Sequence, residues 1–493
     1  MSEHRPSFAP ISRAIAAALT AAIVLAGCST PVAKPSVQMP QRFAATGSQG
    51  AAQPAGSEID AAWWERYGDP VLSDLIRRAE RENRDVKIAA ERVRAARAEA
   101  TISRSWLYPS LDAVGGAVDQ HTTYGPAIQQ RLPDVKAAGA GADVSWEVDL
   151  SGRLRAATAA AKADTLAAED SMRGVRLLVL TDVASNYFTL VGAQRQLQTV
   201  RAIAAAQDET LRLVSSRRRV GLATPFDVER AQAAASAAHA AIPPLETLAA
   251  VSRHRIAVLV GDQPANAANI APWSGQIIVP VTQPGQPATL LERRPDLLAA
   301  KAQLDAANAR RRQAKAEYFP RLFVTALFGR NTADLAGTAI GPARFTNAAA
   351  LLAMPIFNAG RTQALNTVAG SAQNEAVLHY EDSIVRALED VENAVTTLKD
   401  ERDRQQSLQS AARSADSAFG RAQSLYSRGQ IDLLPLLDAQ RTRLSVRVSA
   451  NDSDTQLLLD SVQLYKALGG GWQVFESASA PATARASTPT PNP

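Results

Sequence analysis

The stretch Arg219-Val220-Gly221-Leu222-Ala223-Thr224-Pro225-Phe226-Asp227 is a turn that runs into an alanine-rich helix carrying Ala231-Gln232, and the chain contains this arrangement twice. The second turn, Arg428-Gly429-Gln430-Ile431-Asp432, leads into a helix carrying Asp438-Ala439-Gln440, at an offset of 208 residues (429 − 221). The same offset joins Ala231 to Ala439, Gln232 to Gln440, Asp182-Val183 to Asp390-Val391, Thr189-Leu190 to Thr397-Leu398 and Gly152-Arg153 to Gly360-Arg361. Further upstream it becomes 211 (296 − 85), joining Asp85 to Asp296 and Pro109 to Pro320, so about three residues of loop distinguish the halves. A unit of roughly 200 residues written twice predicts a pseudo-symmetric pair.

By length alone, 493 residues suggest about three domains. The duplication replaces that prior with two similar halves. Apolar residues are 46% of the chain, mostly alanine and leucine, and aromatics only 5%, which favours small-residue helix packing over one thick core. The net charge of +5 is modest, and Lys and Arg alternate with Asp and Glu along segments such as Arg77 to Arg97. No single basic face results, so nucleic acid is not an expected partner.

The N-terminus reads as a secretory signal: His4, Arg5 and Arg13, then the apolar run Ala14 to Ala26, then Leu25-Ala26-Gly27-Cys28. A membrane anchor is the weaker reading, because the run is too short to span about 30 Å of hydrocarbon comfortably. Cys28 is the only cysteine, so no intramolecular disulfide is possible. Leu-Ala-Gly-Cys resembles the bacterial lipobox, which implies cleavage before Cys28 and lipidation of its thiol; Ser29 after it implies sorting to the outer membrane. Each buried methylene of such a lipid contributes about 0.8 kcal/mol, so several acyl chains hold a protein to a bilayer. Ser29 to Ser57 is rich in Pro, Ala, Ser, Gly and Gln and reads as a tether with little to bury.

Order is expected from Ile59 onward. Trp63 and Trp64 read as packing anchors at a helix start more than as a ligand platform, because Asp69-Pro70 is an N-cap followed by proline at the first helical position. The pattern is helical from Leu72 to about Ser105 and must stop at Tyr108-Pro109. The period then changes. Ala142, Val144, Trp146, Val148 and Leu150 alternate with Asp143, Ser145, Glu147 and Asp149, and after Phe319-Pro320 the residues Leu322, Val324, Ala326 and Phe328 share one face. Leu111 to Val118 and Thr346 to Ile356 are assigned as strands by their position in the repeat. Each half thus has two strands of about ten residues joined by a long polar loop, Asp119 to Lys136 and Asn331 to Arg344. That is the length of a tilted membrane strand.

Four strands cannot close on themselves, and a membrane sheet tolerates no open edge. The smallest usual barrel has about eight strands, so several copies must contribute. The alternative is a small soluble sheet of two hairpins, but the helices are far too long to pack across it. From Leu180, apolar or small residues recur at Val183, Tyr187, Leu190, Leu197, Ala204 and Leu211, interrupted by Gln194 and Arg201, a heptad seam that predicts supercoiling. A helix over about 155–218 is roughly 95 Å long and needs neighbours to cover it. Alanines at 231–241 and 411–418 permit close approach, besides favouring helix.

The expected organisation is a signal peptide over 1–27, a lipidated tether over 28–57, and a first repeat over 58–260 with a β-hairpin at about 109–148 and a helical hairpin at about 155–260. A Pro/Gly/Gln-rich connector follows over 261–290. The second repeat covers 291–472, with a β-hairpin at about 320–357 and a helical hairpin at about 361–468, and a disordered tail covers 473–493. Asp296 can cap a helix in the second repeat, and Gly469-Gly470-Gly471 can stop the last one.

Cys28, Trp64-Glu65-Arg66-Tyr67-Gly68-Asp69-Pro70, Arg294-Pro295-Asp296-Leu297, Pro355-Ile356-Phe357-Asn358-Ala359-Gly360-Arg361 and Leu437-Asp438-Ala439-Gln440 together resemble the TolC-like outer-membrane efflux lipoproteins of the OprM/NodT type. The resemblance spans about 58–472. It implies a mainly α fold with membrane β: a homotrimer whose protomers give four strands each to a 12-stranded barrel, above a long coiled-coil helical barrel in the periplasm. It implies a gated exit duct for drugs or other small molecules, working with a periplasmic adaptor and an inner-membrane pump of the RND type. It implies no cofactor beyond the covalent lipid on Cys28, and outer-membrane lipid as surroundings.

In that family the hairpin tips close the periplasmic end through tyrosine, arginine and aspartate contacts and acidic rings. The matching tip here is Leu425 to Asp432 and on to Asp438, and Tyr426 and Asp438 carry over directly. Ile431, with Asp432 beside it, stands where relatives carry the charged gate residue, so the acidic ring is assigned to Asp432. Arg428 and Asp227 complete the candidate gate, with Arg217-Arg218-Arg219 on the facing tip. Without the family, these charges read as solvated helix ends. Three copies of one carboxylate round a pore would repel, raise one another's pKa and attract cations.

A lipid-anchored periplasmic adaptor or structural scaffold is the competing class, but adaptors lack a full-length duplication with paired amphipathic strands. Ducts of type I secretion or metal efflux are alternatives within the same class. An enzyme is not expected: His4, His121, His239, His254 and His379 show no metal-ligand spacing, no glycine-rich phosphate loop follows a strand, and no Gly-x-Ser-x-Gly elbow occurs.

Overall fold

The two halves fold into corresponding series of helices and strands, with α2 and α7, β1 and β3, and α3 and α8 starting at the offsets of the repeat. Helices α1 (Pro70–Glu82) and α2 (Arg84–Ser105) lead to strands β1 (Ser110–Gln120) and β2 (Val135–Val148), and then to α3 (Arg153–Arg219), α4 (Pro225–Ala240) and α5 (Ile242–Leu259). The second half comprises α6 (Leu290–Arg293), α7 (Pro295–Ala316), β3 (Arg321–Leu335), β4 (Thr338–Ala353), α8 (Arg361–Ser427) and α9 (Leu433–Ala467). Helices α2 and α7 have 22 residues each, and α3 and α8 have 67 each. The computed structural model describes residues 33, 35–46, 61–121, 135–267, 270–271, 279–280, 284–335 and 338–476. Cys28, the signal segment and residues 477–493 lie outside these.

One deviation from the repeat has a covalent cause. The single helix α9 corresponds to the pair α4 and α5, which break at Ala241. Pro243-Pro244 stands just beyond the break, where the second half carries Asn451-Asp452. Proline lacks the N–H that would continue the helix across that point.

The chain divides into two units. In the unit containing Ala96–Thr165 and Ala302–Tyr380, the strands form an antiparallel meander in the order β1-β2-β3-β4. Register runs Ser110↔Ser145 to Gln120↔Val135, Val135↔Leu335 to Val148↔Leu322, and Arg321↔Ala353 to Leu335↔Thr338, with an irregularity between Asn331 and Ala333. The second-half hairpin corrects the sequence reading. Most of Asn331 to Arg344, expected as a long polar loop, is strand, and β4 ends at Ala353, before Pro355. Polar residues there do not oppose strand, because a sheet exposed on its face needs only paired backbone.

At the end of the sheet where β1 and β3 begin, large apolar side chains stand exposed: Trp106, Tyr108, Leu150, Tyr318, Ile356 and Phe357. Such a collar matches the aromatic girdle of membrane strands. Among the described residues no helix is long and apolar enough to cross a membrane.

The other unit, Val37–Ala95 with Leu166–Lys301 and Glu381–Pro493, holds an aromatic core. Trp63 stacks on Tyr465 at 4.9 Å and Trp64 on Phe475 at 5.9 Å, while Tyr67 hydrogen-bonds Ser461 at 2.6 Å. The tryptophans are packing anchors: Asp69 caps α1 by accepting from Val71 N at 2.9 Å and also receives the Tyr187 hydroxyl, with Pro70 at the first helical position. Residues 473–476, expected in the tail, belong to this core through Phe475. Part of the expected tether is also packed. Phe43 is only 1% exposed, and the Glu392 carboxylate accepts from the backbone N–H groups of Ala44 (2.6 Å) and Ala45 (2.8 Å).

The repeat is written into side-chain contacts. Asn83 Nδ2 donates to Leu259 O at 2.9 Å, and at the corresponding place Arg294 Nη1 donates to Ala467 O at 3.0 Å. Gly261 (φ +87°) and Gly469 (φ +70°) each end a helix in the left-handed region. A Cβ on Gly261 would meet Glu82 O at 2.7 Å, and one on Gly469 would meet Arg293 O at 3.1 Å, the equivalent carbonyl. At Gly221 (φ +79°) the space is open. Gly221→Ala is therefore expected to cost about 1–2 kcal/mol from backbone conformation alone. Gly261→Ala should cost clearly more, read as the larger drop in thermal unfolding temperature of the solubilised protein.

Candidate functional site at the hairpin tips

The tips of the two helical hairpins close with the same turn. Leu222 N donates to Arg217 O at 2.8 Å, and Gln430 N donates to Leu425 O at 2.9 Å, the equivalent bond 208 residues on (425 − 217). Gly221 (φ +79°) and Gly429 (φ +75°) supply the left-handed residue that each turn needs.

Five residues were expected to form the gate, and the structure gives them different surroundings. Tyr426 is 3% exposed and packs in an apolar cluster with Val214, Ala231, Phe419, Leu433 and Leu436, which joins the two tips. The Arg217 guanidinium lies 4.1 Å above the Tyr426 ring, and its Nη2 donates to Tyr426 O at 2.6 Å. The ring and the backbone carbonyl of Tyr426 are thus both held by one arginine of the other half.

Asp227 is occupied in a capping box. It accepts from Thr224 N at 2.9 Å and from the Thr224 hydroxyl at 2.8 Å, while its own N–H donates to Thr224 Oγ1 at 3.1 Å. Those bonds, the Thr224 backbone N–H first, hold its carboxyl below the usual carboxylate range. Asp438 pairs with Arg441 one turn on at 2.9 Å. Arg428 and Asp432 are exposed, and Asp432 occupies the N-cap of α9 without bonding it through its side chain. The structure therefore brings Tyr426 and Arg217 together, and it leaves Arg428 and Asp432 facing solvent.

Two further contacts tie the hairpins. Gln440 Nε2 donates to Thr210 Oγ1 at 2.7 Å in a buried position, linking α9 to α3. Asp416 of α8 pairs with Arg443 (2.8 Å) and with Arg447 of α9, and the Arg443 guanidinium also covers Phe419 at 4.6 Å. The two arginines hold the Asp416 carboxyl below its ordinary range despite its partial burial. Arg443 and Arg447 share a helix face by their spacing of four, a signal visible in the sequence; their partner is not. Among the described residues no group of three His, Cys, Asp or Glu side chains is placed to hold a metal.

Long paired helices, an antiparallel four-stranded meander with exposed faces, and two halves joined at their tips define a channel protomer of the TolC-like class. The chain belongs to the outer membrane efflux protein family, whose model matches residues 75–262 and 287–470. It is 30% identical over 469 residues to outer membrane protein OprJ of Pseudomonas aeruginosa, covering 92% of this chain and 95% of that one. It is 28% identical over 456 residues to the probable outer membrane lipoprotein SilC of Salmonella typhimurium, covering 91% and 97%. The crystal structure of the outer-membrane channel OprN matches with a TM-score of 0.81 at 28% identity, over 90% of this chain and 99% of that one. The protein is accordingly an outer-membrane efflux channel component with the fold of the trimeric TolC-like channels.

The capping box gives a prediction with a pH sign. A carboxyl held low in the folded state stabilises above its unfolded pKa, and that stability is lost as pH falls through the folded pKa. Asp227→Ala should loosen the first turn of α4 at neutral pH by less than the roughly 1 kcal/mol typical of losing an N-cap side chain, because Asp227 is the solvated N3 member of the box. Amide exchange there should be several-fold faster than in the native protein, with the difference vanishing in acid.

Proposed function

We propose that three copies of this chain form a closed duct across the outer membrane and periplasm, shut at rest by the paired hairpin tips. The observation that carries this reading is the Arg217 guanidinium clamped on the Tyr426 ring and carbonyl. An iris-like opening that moves one hairpin away from the other must break it. A cation–π contact contributes about 0.5–2 kcal/mol, and a hydrogen bond from a charged donor about 1.5–3 kcal/mol.

At roughly 2 kcal/mol per protomer, three coupled latches hold the open state down by about 6 kcal/mol. That is near the 5.5 kcal/mol or so needed to swing a two-state population from 1:99 to 99:1. A periplasmic adaptor binding the open state more tightly by that amount would open the duct, with an inner-membrane pump, of the RND type, delivering the cargo. Exposed Asp432 and Arg428 would face the aperture, Asp432 as a ring of three carboxylates that draws cations and Arg428 as an opposing ring of three guanidinium groups. No chemistry is performed on the cargo, and drugs or other small molecules are the expected class. Lipid on Cys28 and the collar of Trp106, Tyr108 and Phe357 at the headgroup level would seat the barrel.

Arg217→Ala should raise the single-channel conductance of the purified trimer in planar bilayers, and Arg217→Ala with Asp432→Ala should also weaken its cation preference. Tyr426→Phe, which keeps the ring and the carbonyl, should leave conductance near the native level. Unchanged conductance in the Arg217 variants would mean that Arg217 and Tyr426 do not hold the duct shut. For the anchor, Cys28→Ser should abolish incorporation of labelled palmitate, and continued labelling would refute lipidation at that residue.

A further inference from the structure

The pleat gives the sheet two unlike faces, because residues directly opposite in the register stand on the same side. Toward the collar, the strand carboxylates Asp112, Asp143 and Glu147 all lie on one face, together with Ser110, Ser145 and Thr325. The other face there carries Leu111, Val144, Trp146, Leu322, Val324 and Phe328. A membrane barrel is apolar outside and polar within, so this second face is the outward one once the barrel closes.

The outward face bears no charge over its first rows and then meets two arginines. Arg330 of β3 and Arg344 of β4 are directly opposite in the register, both are exposed, and neither has a hydrogen-bond or ion-pair partner among the described residues. Each stands nine residues from the collar end of its strand, counted from Arg321 (330 − 321) and from Ala353 (353 − 344). At about 3.3 Å per residue and a tilt of about 40°, nine residues rise roughly 23 Å along the membrane normal, close to the ~25 Å height of an apolar band. The pair therefore sits where hydrocarbon gives way to headgroups, on the side of the membrane away from the helices.

Like charges directly opposite on a sheet repel, and the neighbouring outward positions do not relieve them. Gly115 and Ala140 complete the arginines' own row, and the next row toward the collar is Ala113, Ala142, Phe328 and Thr346. The strand carboxylates on this face, Asp119 and Asp334, share the row of Lys136, about 13 Å further along β2. Asp119 is already paired with Lys136 at 3.2 Å. Two adjacent guanidinium forks without a counter-ion match a phosphate, which each can bind through two parallel N–H···O bonds. The small and apolar residues beside them form a wall for hydrocarbon chains joined to that phosphate.

We propose, resting on the closed barrel of the preceding section, that Arg330 and Arg344 form a site for the phosphate of a phosphorylated lipid in the leaflet away from the periplasm. Each protomer carries one such site, with the lipid chains lying against Phe328 and Ala142.

The probe is lipid A, a bisphosphorylated and acylated disaccharide, titrated into the full-length, delipidated trimer in detergent and counted by native mass spectrometry. Saturation at up to three copies per trimer is expected. Affinity should fall at least tenfold in Arg330→Gln/Arg344→Gln at unchanged trimer mass and single-channel conductance. Arg330→Lys/Arg344→Lys, which keeps the charge but not the fork, should lose less. Equal affinity in the native protein and the glutamine variant, with the pore intact, would overturn this site alone. So would lipid A binding that millimolar inorganic phosphate abolishes, which would make the ligand the free anion. A glutamine variant that no longer assembles would overturn it too, since the arginines' counter-ion would then be a carboxylate of a neighbouring copy. A native protein with neither trimer nor pore would overturn the barrel, and the site with it.

Discussion

The backbone of the two outer strands sets the terms for the rest of the molecule. β1 and β4 bound a four-stranded meander and each carries a row of N–H and C=O groups along its free side. In water such an edge is a liability; in hydrocarbon each unpaired group costs several kcal/mol. Four strands cannot curl far enough to pair β1 with β4 of the same chain. Closure must come from other copies, and once copies ring a common axis the 67-residue helices α3 and α8 gain the lateral neighbours that their length requires. Membrane closure and helix packing are thus two consequences of one unmet hydrogen-bonding demand.

The duplication makes this arrangement affordable in sequence terms, because one set of contacts serves twice. Glycines in the left-handed region stop the helices at equivalent points, and the last turn of each hairpin is tied back to the chain entering its repeat, through Asn83 in one half and Arg294 in the other. The halves have diverged where chemistry was free to change. The neutral amide of Asn83 is replaced by a guanidinium that also gathers Asp296 and Asp390, and with that change the second half acquires a charged wall beside a cavity. Pro243-Pro244 bends only the first-half hairpin.

Much of the fold was legible in the sequence. Equal spacing of Gly221 with Gly429 and of Gly152 with Gly360 marks turns that backbone sterics reserve for glycine, and Asp69-Pro70 marks a helix start by two independent rules. The β3–β4 hairpin was not: Asn331 to Arg344 looks like a loop because polarity signals exposure, and a membrane sheet's far end is exposed while still paired. The burial of Phe43 was hidden by the polar composition around it, since one aromatic suffices to dock a strand of tether. At the tips, Tyr426 stands out by its place in the family pattern, but the residues that hold it do not. Arg217 looks like one of three equivalent arginines in Arg217-Arg218-Arg219, and only the turn geometry turns the first onto the tyrosine. Asp227 fits a gate by type, yet Thr224 three residues before it already predicts a capping box. Asp416 meets Arg443 and Arg447 across two helices, a relation that no local spacing expresses.

If neighbouring copies complete the sheet, β1 of one chain lies beside β4 of the next, and disulfide cross-linking can trap that pairing. Cysteines placed in turn along β1 and along β4, paired in one chain and oxidised in the membrane, should yield covalent dimers and trimers for a few pairs at one fixed register, with no larger ladder. Cross-links confined within single chains, or none at any register, would mean that β1 and β4 do not meet between copies and that the sheet closes in some other way.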